Sequence, residues 1–143
     1  MSALKLLALD PEDLDVVSAQ VQDAVLKVGD IHWRPAEKRL VIGLNRFAWE
    51  AADRRRRFER RRAALHLTRV TSVKAQHLSA ERPDVVLDLL ALRFTETEAP
   101  SGVVELLFAG GATLRAEVEC LEVGLTDLGA AWSTDHLPSH DGG

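Results

Sequence analysis

The stretch from Val103 to Val118 leaves the least room for alternative folds. Val103-Val104-Glu105-Leu106-Leu107-Phe108 and Ala112-Thr113-Leu114-Arg115-Ala116-Glu117-Val118 flank Gly110-Gly111. Two strand-like runs around residues that accept positive φ predict a β-hairpin with a primed two-residue turn. In the second run Leu114, Ala116 and Val118 alternate with Thr113, Arg115 and Glu117, the period of a strand with one buried face. A lone hairpin cannot bury its apolar face, so the rest of the chain must supply more sheet.

Period-two patterning recurs upstream. Val25 to Val28 leads into Gly29-Asp30, Ile31 to Arg34 runs into Pro35-Ala36-Glu37-Lys38, and Arg39 to Phe47 places Leu40, Ile42 and Leu44 on one face. A charged segment from Glu50 to Arg62 interrupts, and Ala63 to Leu78 resumes as one long strand, with a bulge expected near Arg69 where the apolar face switches to Val70. Ser79 to Asp84 is a turn by composition, and Val85 to Leu92 reads as a strand buried on both faces or a buried helix segment, with the neighbouring strands favouring the strand. Ahead of these strands, Leu4 to Leu9 suggests a short strand, and Asp10-Pro11-Glu12-Asp13 starts a helix. Asp10 can cap free amides, Pro11 suits the first helical position, and the acids favour the positive end of the dipole. That helix is expected to end near Gln22, with Leu14, Val17, Ala19 and Val21 inward. After Val118 the apolar spacing becomes Val118, Leu121, Leu125, Leu128, which predicts a short closing helix capped at Gly129.

The expected architecture is therefore α+β but mainly β. An N-terminal strand and helix precede an antiparallel meander of about seven strands, a bent sheet or partly open barrel closed by a C-terminal helix, as in pleckstrin-homology-like domains. Residues 1–132 form one domain in this reading and 133–143 a disordered tail. A chain of 143 residues can bury a sufficient core without staples. Its one cysteine rules out an intramolecular disulfide framework, and no apolar run reaches the ~20 residues of a bilayer span. These features suit a cytoplasmic protein with no membrane association.

Three further segments carry a resemblance: Gln22-Asp23-Ala24-Val25-Leu26-Lys27-Val28-Gly29-Asp30, then Leu44-Asn45-Arg46-Phe47-Ala48-Trp49-Glu50, then Glu119-Cys120-Leu121-Glu122 followed by Asp127-Leu128-Gly129 and Trp132. In this order they resemble an uncharacterised bacterial family, domain-of-unknown-function family 2948, over nearly the whole chain. The resemblance implies a small stand-alone cytoplasmic protein and brings no activity, substrate or catalytic residue with it.

The least ordinary feature is Arg54-Arg55-Arg56-Arg57-Phe58-Glu59-Arg60-Arg61-Arg62. It holds about +6 in a chain whose total is −4, so the remainder carries −10. Such a run can be a solvated loop, a cationic surface for an acidic protein partner, or a grip on nucleic acid or another polyanion. The absence of tyrosine and the low aromatic content weigh against a base-stacking platform. Next to it, Asn45-Arg46-Phe47-Ala48-Trp49-Glu50 combines a cation, two aromatics and an amide at a strand end. The residues expected at a partner- or anion-binding surface are thus Asn45, Arg46, Trp49, Arg54, Arg55, Arg56, Arg57, Arg60, Arg61 and Arg62. The tryptophans Trp33, Trp49 and Trp132 suit the ends of a small core as well as an interface.

Chemistry-bearing residues otherwise have structural explanations. His136 and His140 are four apart but Pro138 lies between them, and His66 and His77 are an odd number of positions apart on the expected long strand. Cys120 falls with Val118 on an apolar face and reads as a buried, inert thiol. Asp10, Glu12, Asp13 and Asp15 serve helix capping, and no glycine-rich phosphate loop is present. No metal or cofactor is expected, and catalysis is not. The reading that remains is a binding or adaptor domain for a protein partner; weak polyanion binding and a small enzyme or ligand carrier with a pocket in the barrel mouth are the alternatives.

Overall fold

A computed structural model describes residues 4–47, 59–128 and 132–133. Its elements are β1 (Lys5–Ala8), α1 (Pro11–Val21), β2 (Ala24–Lys27), β3 (Ile31–Arg34), β4 (Arg39–Phe47), β5 (Glu59–Leu67), β6 (Val70–Gln76), β7 (Val86–Glu96), β8 (Gly102–Phe108), β9 (Thr113–Val118), β10 (Val123–Asp127) and β11 (Trp132–Ser133).

The start of α1 follows from its capping residues. Asp10 is extended, and its Oδ1 accepts a hydrogen bond from the Asp13 amide at 2.8 Å. Leu14, Val17 and Val21, spaced for one helical face, are buried, whereas Ala19 is exposed, against expectation. The helix lies against β7, and the Leu92 amide donates to Ser18 Oγ at 3.0 Å. Asp23, with φ of 65°, turns the chain out of the helix and into β2.

All the described strand pairings are antiparallel, in the order β1-β10-β5-β4-β2-β7-β8-β9-β6, with β3 added beside β4 and β11 beside β5. The sheet is open, with β1 and β6 at its ends. It cannot be flat. Five strands lie between β5 and β6 in this order, which in a flat sheet would hold them about 29 Å apart. The chain joins them through Thr68 and Arg69 alone, a link of about 10 Å. The sheet must therefore curl until these two strands meet at a corner. Arg69, at φ 62°, makes that corner, which is laced to the β9–β10 connection by the Thr68 amide to Glu122 O and the Glu119 amide to Arg69 O. Enclosed by the curl and by α1 is the core, with Leu40, Ile42 and Leu44 of β4, Leu65 and Leu67 of β5, Val104 and Leu106 of β8, Leu114 and Ala116 of β9, and Val123 and Leu125 of β10.

The hairpin at Gly110-Gly111 forms, with Leu107 opposite Thr113. Its loop has three residues, since the Phe108 amide reaches Ala112 O, and both glycines sit at positive φ, 86° and 93°. Val85 to Leu92 lies largely in strand β7, but that strand is buried on one face only.

Several expectations need correction. No helix covers Val118 to Leu128: Glu119 to Glu122 is a loop and Val123–Asp127 is β10, so the feature on which a pleckstrin-homology-like reading rested is absent there. The long strand 63–78 is two strands broken at Arg69. The arginine run does not end outside the sheet either, because Glu59 to Arg62 opens β5. After the expected N-terminal strand and helix, ten strands rather than about seven are found among the described residues. Of the segment 133–143, only Ser133 is described, paired with Glu59.

Candidate functional site

The β4–β5 ladder decides where the expected site residues go. Its register pairs Asn45 with Arg62, Arg46 with Arg61 and Phe47 with Arg60. Side chains alternate across a strand, so the Arg46–Arg61 pair faces one side of the sheet and the flanking pairs face the other.

Arg46 continues the row Leu40, Ile42, Leu44 into the core and is fully buried; Arg61, at 4% exposure, continues the row Leu67, Leu65, Ala63. Like charges directly opposite repel. Among the described residues a compensating group is Asp127, which β10 brings alongside through its pairing with Ala63. Arg46 Nε donates to Asp127 Oδ1 at 2.8 Å and Nη2 to Oδ2 at 2.9 Å, a two-pronged match of guanidinium to carboxylate. Arg46 Nη1 donates to Phe47 O at 3.0 Å and to Gln20 Oε1 of α1 at 3.4 Å. Arg61 Nη1 stands 3.8 Å from Asp127 Oδ2, and the same oxygen accepts from the Leu4 amide at 2.8 Å. Burial pushes the Asp127 carboxyl up, but the Arg46 bonds, the Leu4 amide and the charges of Arg46 and Arg61 together hold it below the usual carboxylate value. Arg46 and Arg61 were expected at a binding surface. They are instead internal, because a strand that begins in the core keeps every second side chain there.

The other side of the ladder is a surface. Arg60 stacks on Phe47 with 3.9 Å from guanidinium carbon to ring centroid. Its terminal Nη1 is buried without an acceptor among the described residues. Burial lowers the Arg60 pKa from its ordinary value, opposed by the carboxylates of Asp88 and Asp23. Arg62 lies across Gly43, where a Cβ would stand 2.6 Å from Nη2 and push the end of the arginine aside. It ends 3.5 Å from Asp30 Oδ2, with Nη1 3.4 Å from Asn45 Oδ1. Register carries this surface further: Arg62 pairs with Asn45, Asn45 with Val25 and Val25 with Asp88, one row across β5, β4, β2 and β7. Flanking Asp88 on β7, Val86 and Leu90 are 58% and 45% exposed.

Asn45, Arg60 and Arg62 thus come together on one face. Trp49 and Arg54, Arg55, Arg56 and Arg57 lie outside the described residues. Sequence reasoning did not identify Asp127, Phe47 as the base of a stack, or the acidic border of Asp23, Asp30 and Asp88. The inward position of Arg46 was missed although a signal for it exists, since Arg46 extends the Leu40, Ile42, Leu44 period by one step.

Elsewhere, His66 sits on β5 with its ring over Gly124 of the neighbouring strand; burial lowers its pKa, helped by Arg39 and opposed by Glu122. His77 is exposed at φ 58°, just past the end of β6. Cys120, expected to be buried, is half-buried in the β9–β10 loop. Among the described residues no group of three or more His, Cys, Asp or Glu is placed to hold a metal, and no helix is long and apolar enough to cross a membrane.

The family model described as a protein of unknown function, DUF2948, matches residues 4–140. No curated protein and no solved structure matches.

Proposed function

We propose that this chain, which belongs to the DUF2948 family, is a non-catalytic binding or adaptor domain that recognises a protein partner through the outer face of β5, β4, β2 and β7. The observation that carries the reading is the make-up of that face: a stacked Arg60–Phe47 pair and Arg62, on the same side of the sheet as the exposed Val86 and Leu90 of β7. Arginine and aromatic side chains held in place beside apolar area are the usual anchors of protein interfaces. A partner segment with an apolar side chain over Leu90 and a carboxylate toward Arg62 matches it. The three carboxylates Asp23, Asp30 and Asp88 border the same arginines and would repel a phosphate backbone, so this face favours a protein over nucleic acid.

The test is capture by the full chain compared with Leu90→Asp, Arg62→Glu and a control, Lys74→Glu, on the exposed side of β6. A partner retained by wild type and the control but lost by both face variants supports the reading. A partner set unchanged by the face variants overturns it. Retention of RNA in its place, abolished by moderate salt, would move the assignment to the polyanion alternative.

A further inference from the structure

A cavity of about 490 Å³ opens between the start of α1, the end of β7 and the β9–β10 loop, sharing no residue with the face described above. Its volume falls within the range of small-ligand sites, which run from roughly 300 to 1,000 Å³. Phe94 and Leu121 belong to or pack against the core, while Leu9, Pro11 and Pro100 complete an apolar lining. The Phe94 ring lies across Gly102, where any Cβ would collide with it. Pro11 is fixed as the first residue of α1, behind the Asp10 cap.

The polar lining has one sign. Asp10 and Glu96 supply carboxylates, Cys120 a thiol, and among the described residues no lysine, arginine or histidine lines the cavity. Glu96 is exposed and has no ion-pair partner among the described residues, so its charge is available to a ligand. The positive end of α1 also lies here and would by itself attract an anion. Its roughly half charge is outweighed by Asp10 and by Glu12 and Asp13 in the first turn.

We infer that this cavity binds a small organic ammonium compound, its apolar body against Phe94, Leu121 and Pro100 and its charged nitrogen toward Glu96 and Asp10. Phe94 in the same lining suits this ligand class, since an aromatic ring can attract a cation as the acids do. A neutral molecule of equal shape would forgo both attractions, and a carboxylate would meet repulsion.

Cys120 makes the inference measurable, because it is the only cysteine and forms part of the wall. The experiment follows alkylation of the folded full chain by iodoacetamide at pH 7 in the presence of phenethylamine, 2-phenylethanol or 3-phenylpropionate. Phenethylamine should slow alkylation at concentrations about fivefold below those the alcohol needs, the factor expected of one solvent-accessible charge pair, and phenylpropionate should be weakest. Glu96→Gln, a change at an exposed position, should bring the amine close to the alcohol. Amide shifts of Leu9, Phe94 and Leu121 on titration with phenethylamine should localise the effect. Equal protection by all three compounds, stronger protection by the carboxylate, or no protection by the amine overturns the assignment.

Discussion

Replacing Asp127 by asparagine removes the only carboxylate that the described residues place between two buried guanidiniums. In the native chain its oxygens accept from Arg46 Nε, Arg46 Nη2 and the Leu4 amide, at 2.8, 2.9 and 2.8 Å, with Arg61 Nη1 at 3.8 Å. Taking one partner from a buried ion pair costs about 3–5 kcal/mol, because the other charge stays buried. The asparagine amide retains an acceptor oxygen for one of the donors, so the lower end, about 3 kcal/mol, is expected for Asp127→Asn. That is a large part of the 5–15 kcal/mol that holds a typical domain. Arg46→Met should cost less, about 1–3 kcal/mol, since Asp127 keeps Arg61 and the Leu4 amide. The sharper expectation concerns the combination. In the Asp127→Asn background Arg46→Met removes a cation that has already lost the Asp127 carboxylate, so it should cost markedly less than in the wild type. Urea unfolding of the four proteins, read as midpoints at constant m, closes the cycle. An Arg46→Met penalty that is equal in both backgrounds would refute the account of this network. The pH dependence has the matching sign. The folded carboxyl lies below its ordinary value of 3.8, so its contribution is complete well above that pH and is lost as pH falls through the lowered folded value. The gap between wild type and Asp127→Asn should therefore narrow in acid.

Other expectations are simpler. His66 has a lowered folded pKa, so the unfolded chain binds more protons as pH drops through 6.5, and the wild type should lose stability there; His66→Gln should flatten urea midpoints measured between pH 7.5 and 5.5. Asp10→Ala removes the cap bond to the Asp13 amide and should cost about 1 kcal/mol in the same assay, with Asp10→Asn close to wild type. Gly111→Ala meets no neighbour but must hold φ at 93°, so it should cost about 1–2 kcal/mol through backbone strain alone, which Gly111→Asn should partly relieve.

The parts of the fold that could be read from sequence are those where one physical rule acts locally. Asp10-Pro11 starts α1 because capping involves four consecutive residues, and Gly110-Gly111 turns a hairpin because positive φ selects glycine. The closing helix failed for a long-range reason. Inward positions in β10 are Val123, Leu125 and Asp127, a plain period of two, but the third is an acid and does not register as core. With Asp127 discounted, the loop residue Leu121, which is buried, and Leu128, which is exposed, complete a false helical spacing with Val118 and Leu125. Only the arginines arriving from β4 and β5 make an acid acceptable at that position. The break at Arg69 was sensed as a bulge, yet its consequence, that two strands adjacent in sequence end up with five others between them, depends on pairings no local pattern encodes.

The same logic revises what the arginine run means. Counted as a block, residues 54–62 carry about +6; in β5 the three arginines Arg60, Arg61 and Arg62 are divided by the pleat. Arg61 goes inward and shares Asp127 with Arg46, so its charge answers an acid in the interior and not a ligand outside. Arg60 and Arg62 go outward, but each arrives among carboxylates, Asp23 and Asp88 for one and Asp30 for the other. Three arginines that look alike in sequence thus hold the core, stack on Phe47 and bridge to the β2–β3 turn. A surface whose cations are already bordered by acids discriminates by geometry and apolar contact more than by bulk charge. This is why Leu90→Asp should impair partner capture as much as Arg62→Glu, although only the second changes an arginine.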